Sequence, residues 1–306
     1  MNRKNILLLF VCMSSFMWGF AQSTPSSKIK IIDISKKQID LMNDLESEPL
    51  EVRNKIFIDS IYTPNNYLWS GYLGSEMDFI KWMNLTAYKE LVLYNSKAKS
   101  IDLNLLNLYL FETVKGMKMF TGFEPEGKWY IFFGPKWTNL GGFADGTMLI
   151  DLAHESIKSI DDIREFFPHE INHQIYSSTN QRDENEVLYR ILDEGFACYV
   201  SYLFHNGSTT VAEELDYTES EYKFCIDNEA ELIALLKKHY KSNNDKLSRS
   251  FASRSYRFAK GYPGAIGYFI GFRIVEEYVK RNGKDSWKDI YHLSPEKVLK
   301  RSKILR

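Results

Sequence analysis

The chain has 306 residues, a formal net charge of −1, 44% hydrophobic and 15% aromatic content, and three cysteines. It is long and apolar enough to bury one large core or two modest ones, which excludes a disordered chain. Balanced charge, 39 basic against 40 acidic residues, argues against a protein that holds nucleic-acid phosphates, and three cysteines are too few for a disulfide scaffold.

The first residues read as an export signal. Arg3 and Lys4 precede an apolar run from Ile6 to Phe20, and Gly19-Phe20-Ala21 forms a small-x-small cleavage site, so residues 1–21 are expected to be removed after Ala21. The run is shorter than the ~20 residues a bilayer needs, so no stable membrane insertion is expected after cleavage. Cys12 does not read as a lipidated cysteine because Val11 stands where a small residue should precede it. Cys198 and Cys225 remain, and their separation leaves open whether they pair.

A linker over residues 22–27 leads into a β-like stretch, Lys28 to Ile34, and then into a mainly helical region reaching residue 123. Within it, 76–95 and 101–120 read as helices. In the second of these Leu103, Leu106, Leu110, Val114 and Met117 recur at helical spacing. Residues 124–306 are expected to form the main domain. Two strand signals, Trp129 to Phe133 and Met148 to Leu152, bracket the glycine-rich loop 140–146, and the second is either an edge strand to which an extended peptide could add or part of a plain hairpin with a glycine turn. From residue 159 nearly everything reads as helix: 160–178, 185–205, 219–240, 264–281 and 295–302. The fold class is therefore α+β, with a small mixed sheet in the first half and a helical second half.

The chemistry concentrates in Phe167-Pro-His-Glu-Ile-Asn-His-Gln-Ile175, which contains His-Glu-x-x-His at His169, Glu170 and His173. Residues four apart on a helix project from one face, so both imidazoles can reach one metal while Glu170 points at the adjoining open position. Downstream, Asp193 and Glu194 open Asp-Glu-Gly-Phe-Ala, far enough along for a loop and a return helix to bring Glu194 to the same metal as third ligand. Asp193 is either the ligand instead or the partner orienting a histidine N–H. Such a set would hold one Zn²⁺ and leave a water for Glu170 to deprotonate.

These residues resemble the gluzincin branch of zinc metallopeptidases, which carry a closely similar His-Glu-x-x-His and Asn-Glu-Gly-Phe-Ala pair. Over a wider stretch, from Trp129 to Arg306 and including Gly261-Tyr-Pro-Gly-Ala-Ile-Gly-Tyr268, the chain is similar to a bacterial family of predicted zinc-dependent proteases of unknown function. The resemblance implies a thermolysin-like zincin fold with His169, His173 and Glu194 as ligands and Glu170 as base. It departs from the aminopeptidases of that branch at residues 141–146, where Asp145 is a poor match for their amino-end-binding acid.

Two further roles follow from the chemistry of zinc peptidases. Tyr268, or failing it Tyr262, would stabilise the oxyanion, with core packing as the other reading of Tyr268. Arg273 is either a clamp for a substrate carboxylate or a structural ion-pair partner. The expectation is a secreted or periplasmic zinc peptidase acting on a peptide or protein, endo- versus exopeptidase undecided. The alternative is a non-catalytic surface or peptide-binding protein that keeps the fold and a structural metal.

Overall fold

The computed structural model describes residues 28–143, 145–179 and 186–306. The signal-peptide and linker expectations for residues 1–27, and Cys12 with them, lie outside the described residues.

Four strands make one mixed sheet in the order β1-β2-β4-β3: β1 is Ile29–Asp33, β2 Gly127–Phe132, β3 Leu140–Gly142 and β4 Met148–Asp151. β1 runs parallel to β2 and β2 parallel to β4, while β3 is antiparallel to β4. The β-like stretch near residue 28 thus joins a sheet whose other strands lie about a hundred residues further on. β2 is buried from Trp129 to Phe132 and β4 along its whole length, as parallel strands covered on both faces must be.

One expectation about the sheet needs correcting. The strand at Met148 is not the edge, because β2 pairs with one of its sides and β3 with the other. A run of apolar residues is common to inner and edge strands, so the sequence pattern could not separate them. The edges among the described strands are β1 and β3, and β3, the one beside β4, is short. Leu140 N–H donates to Asn139 Oδ1 at 2.8 Å and the Thr138 hydroxyl donates to the Leu140 carbonyl, so local side chains occupy backbone groups that would otherwise invite another strand.

The loop between β2 and β3 is tied down by buried polar groups. Asp151, at the end of β4 and fully buried, accepts from the N–H groups of Gly134 (2.7 Å), Lys136 (2.8 Å) and Ala153 (3.0 Å) and from the Tyr72 hydroxyl (3.2 Å). Gln38 continues the strand pattern with its side chain, donating to the Phe133 carbonyl and accepting from its N–H at 2.9 and 3.0 Å. Lys97 is buried and donates to the carbonyls of Leu152 and Ala153 at 3.0 and 3.2 Å and to that of His154. Burial lowers its pKa from the ordinary lysine value, against the attraction of Asp151.

The helices follow local chemistry more finely than periodicity alone indicates. The helix expected over 76–95 starts at Glu76 with a Ser75/Asp78 capping box, ends at Leu85, passes through a 3₁₀ turn and resumes as Leu91–Ser100. Leu103–Thr121 starts on Asp102, whose carboxylate accepts from the N–H groups of Asn104 and Leu105, and stops at Gly122 in the left-handed conformation. The helix expected over 160–178 breaks at residues 165–166 into Asp161–Arg164 and Phe167–Thr179. Pro168 explains the break: it cannot donate to a preceding turn but fits the first turn of a new helix. Several helices of only eight to ten residues, Ser35–Asp44, Leu50–Phe57 and Asp245–Ala252 among them, lie outside the expected helices.

Three long helices position the site, and we name them by what they carry: the histidine helix Phe167–Thr179, the glutamate helix Glu186–His205 and the glycine helix Ile266–Asn282. Phe167, Ile171 and Ile175 form the fully buried back of the histidine helix, each contributing about 1.5–3 kcal/mol by leaving water. The glutamate and glycine helices make the most extensive helix pair in the fold, and they cross at Gly195 and Gly271. A Cβ on Gly195 would fall on the backbone of Gly271 and Phe272, and one on Gly271 on the Ile191 carbonyl. Only hydrogen at both positions permits that approach.

Candidate metal centre

The histidine helix is held in register by polar pins on both sides. Trp129 Nε1 donates to Gln174 Oε1 at 2.9 Å while Gln174 Nε2 donates to the Gly146 carbonyl at 2.7 Å, which locks the helix to β2 and to the glycine loop. On the other side Asn172 Oδ1 accepts from the buried Tyr291 hydroxyl. His169 and His173 are thereby presented to a cleft of about 190 Å³, walled by β3, β4 and the glutamate helix and lined also by Glu170, Asp193, Glu194, Arg190 and Tyr268.

Within the cleft three groups converge. The Nε2 atoms of His169 and His173 are 3.0 Å apart, and Glu194 Oε2 lies 3.6 Å from the first and 3.3 Å from the second. A tetrahedral ion with ligand bonds of about 2.0–2.1 Å separates its ligand atoms by roughly 3.3 Å, so the three atoms already form one face of such a shell. His169, His173 and Glu194 are a buried group that could hold a metal ion.

Asp193 accepts at 2.7 Å from His173 Nδ1. The contact lies behind the imidazole, on the ring nitrogen opposite the Nε2 that faces the cleft, where a carboxylate can orient the ring. The matching nitrogen of His169 meets Cys198 Sγ at 3.7 Å, and the His169 ring stacks on Tyr268, nearly parallel to it, with centroids 6.0 Å apart. Arg254 covers the next face, its guanidinium 4.8 Å from the Tyr268 centroid and 5.3 Å from that of Tyr217. Both described cysteines are free and buried.

The charges reflect this packing. Burial opposes charge on His173, yet Asp193 and Glu194 outweigh it and raise its pKa well above the ordinary value. Burial likewise opposes the charged form of Glu194, but His173 and His169 pull its pKa well below the usual carboxylate range. The Glu170 carboxyl makes no hydrogen bond to the described residues, and burial raises its pKa. Burial also raises Tyr268 and Cys198 well above their ordinary values.

Of the residues named from sequence, His169, Glu170, His173, Asp193, Glu194 and Tyr268 all meet at the cleft. Two do not. The Tyr262 hydroxyl donates to Glu231 at 2.9 Å on an exposed surface. Arg273 pairs with Glu229 at 2.8 Å and with Glu276, which makes it the structural ion-pair partner. Sequence reading missed Arg190 and Cys198, although both were legible: they stand four residues before and four after Glu194, hence on one helical face with it.

Fold and site together define an α+β protein with a small four-stranded mixed sheet, a mostly helical remainder and a buried two-histidine, one-carboxylate centre. Residues 163–304, just under half of the chain, match the family described as gliding motility protein GldB. Neither the comparison with curated proteins nor that with solved structures returned a match.

This match overturns the peptidase expectation, and with it the gluzincin assignment and the endo- or exopeptidase question. Residues 163–304 of the region assigned to a zinc protease, which include both motifs and the helix at Pro295–Ser302, match a gliding-motility family instead. The physical reason for the error is plain. A spacing of four on a helix determines which side chains can share a metal, and says nothing about whether a bond is cleaved there.

Proposed function

We propose that this chain is an exported cell-envelope protein that serves gliding motility and holds one Zn²⁺ at His169, His173 and Glu194. The observation that carries the metal is the triangle of ligand atoms at 3.0, 3.3 and 3.6 Å. Two imidazoles and a carboxylate suit zinc among the common divalent ions. The arrangement, a His-x-x-x-His helix met by a glutamate from the next long helix, is zincin-like in this local sense. A bound ion would fasten the histidine helix to the glutamate helix and present a Lewis-acidic position to the cleft. Asp193 holds His173 in the required tautomer, and Glu170 and Tyr268 flank the open side.

The motility role is supported by the family match over residues 163–304. Export is supported by the basic and apolar start of the sequence, and the name of that lipoprotein family favours lipid attachment to the envelope over free secretion. Among the described residues no helix is long and apolar enough to cross a membrane. Residues 28–123 act as a mainly helical flank to the 124–306 unit, and the partner is a peptide or protein, not a nucleic acid.

One experiment tests both halves. In a gliding bacterium that carries this gene, the chromosomal copy is replaced by His173→Ala, and surface spreading is scored beside the zinc content of the purified protein. The expected result is one zinc per wild-type chain, none in the variant, and lost spreading. Normal spreading in a strain lacking the whole gene would overturn the motility role, and a zinc-free wild-type protein would overturn the metal.

A further inference from the structure

Arg273 is tied up in ion pairs, but the cleft contains another cation. Arg190 sits one helical turn before Glu194, and among the residues lining the cleft it is the only arginine or lysine. Its side chain is about a third exposed, and the one ion pair it makes among the described residues is with Glu194 Oε1 at 3.8 Å from Nη1, beyond hydrogen-bonding distance. No hydrogen bond joins the guanidinium to a described residue. A guanidinium has five donors in a planar fork, and other arginines of this fold use several of theirs. Arg254, for instance, donates to the carbonyls of Asp216 and Leu215 at 3.0 and 2.6 Å while covering two tyrosine rings.

We propose that Arg190 is the anion clamp of this cleft, and that the cleft takes the carboxylate of an organic acid, with one oxygen toward the His169/His173/Glu194 centre and the other on the guanidinium. The proposal rests on the metal reading of those three residues. Three features select a carboxylate. The guanidinium can give charge-assisted N–H donors to the carboxylate oxygen that faces away from the centre. Glu170, Asp193 and Glu194 already crowd the cleft with acids, so a monoanion is accommodated where a doubly charged phosphate would be repelled. The rest of the wall, Leu140, Phe143 and Met148 beside bare glycine backbone at Gly141 and Gly142, accepts an apolar body behind the charged end. A peptide C-terminus has all of these properties, as does a small free acid.

The test is a calorimetric titration of the full exported chain, first with Zn²⁺ and then, zinc-loaded, with N-acetyl-Gly-Phe, with its C-terminal amide and with acetate. The same series is run on Arg190→Gln and Arg190→Lys. Wild type is expected to bind zinc, to bind the free acid, and to bind the amide at least 10-fold more weakly. Arg190→Gln is expected to keep zinc affinity within 2-fold while losing the acid at least 10-fold, with partial rescue in Arg190→Lys. Acetate binding as tightly as the dipeptide would support the clamp and identify small free acids as its source. Tighter binding of the dipeptide would support it with a chain terminus as the source. Equal binding of acid and amide, or undiminished acid binding by Arg190→Gln, overturns the proposal. So does an Arg190→Gln protein that loses zinc together with the acid, since the arginine would then be serving Glu194. Absence of zinc binding in wild type is a separate failure, that of the metal reading itself.

Discussion

Two buried carboxylates in this protein are treated in opposite ways. Asp151 at the end of β4 is surrounded by donors, three backbone N–H groups and a tyrosine hydroxyl, which leave it no capacity for anything else. Glu194 faces two imidazole nitrogens at 3.3 and 3.6 Å and a guanidinium at 3.8 Å, a neighbourhood of loose contacts around a common point. The first holds a loop in place, and the second stands in a group that could hold a metal ion. Saturation with hydrogen bonds, more than burial or charge, distinguishes a structural acid from a ligating one.

The largest expected effect tests that contrast directly. Asp151→Ala strands three buried N–H groups and should cost about 4 kcal/mol in urea unfolding. Glu194→Ala in metal-free protein should cost less than half as much while abolishing zinc binding. Equal losses of stability would break the comparison.

A pH series sharpens it further. Burial raises the Asp151 pKa to about 6, against the pull of its hydrogen bonds. The folded state therefore holds the proton more tightly than the unfolded chain does. The stability this confers is complete below pH 3.8 and lost as pH climbs through 6, a swing on the order of 3 kcal/mol. Wild type should lose stability relative to Asp151→Asn over that window and run parallel to it above pH 7. A difference independent of pH would show that the carboxylate is ionised throughout.

Lys97 offers the complementary test, a buried cation with three carbonyl partners. Lys97→Met keeps the apolar stem and should cost about 2 kcal/mol, measured in the same way, with zinc affinity unchanged. A smaller effect belongs to Asp193. Because it only orients His173, Asp193→Asn should weaken zinc about 10-fold in a competition assay with a chelating dye without removing it. Complete loss would make it a ligand.

Much of this was legible beforehand, and for identifiable reasons. His169 and His173 were readable because helical spacing places residues four apart on one face whatever the rest of the fold does. Glu194 followed from its acidic pair and glycine, and the crossing at Gly271 explains that glycine. The β1–β2 and β2–β4 pairings, the inner position of β4 and the partners of Arg273 and Tyr262 were not readable, because each depends on contacts between segments far apart in sequence. The activity was misread for a different reason: the ligand spacing is local, whereas the use made of a bound ion depends on the whole cleft and its partners.

The account turns on whether His169, His173 and Glu194 hold zinc. Urea unfolding with and without Zn²⁺ at about 100 times its dissociation constant measures this most directly. The wild-type protein should gain about 2.7 kcal/mol, and a His169→Ala/His173→Ala double variant should gain none. Equal stabilisation of both proteins, or of neither, would contradict it.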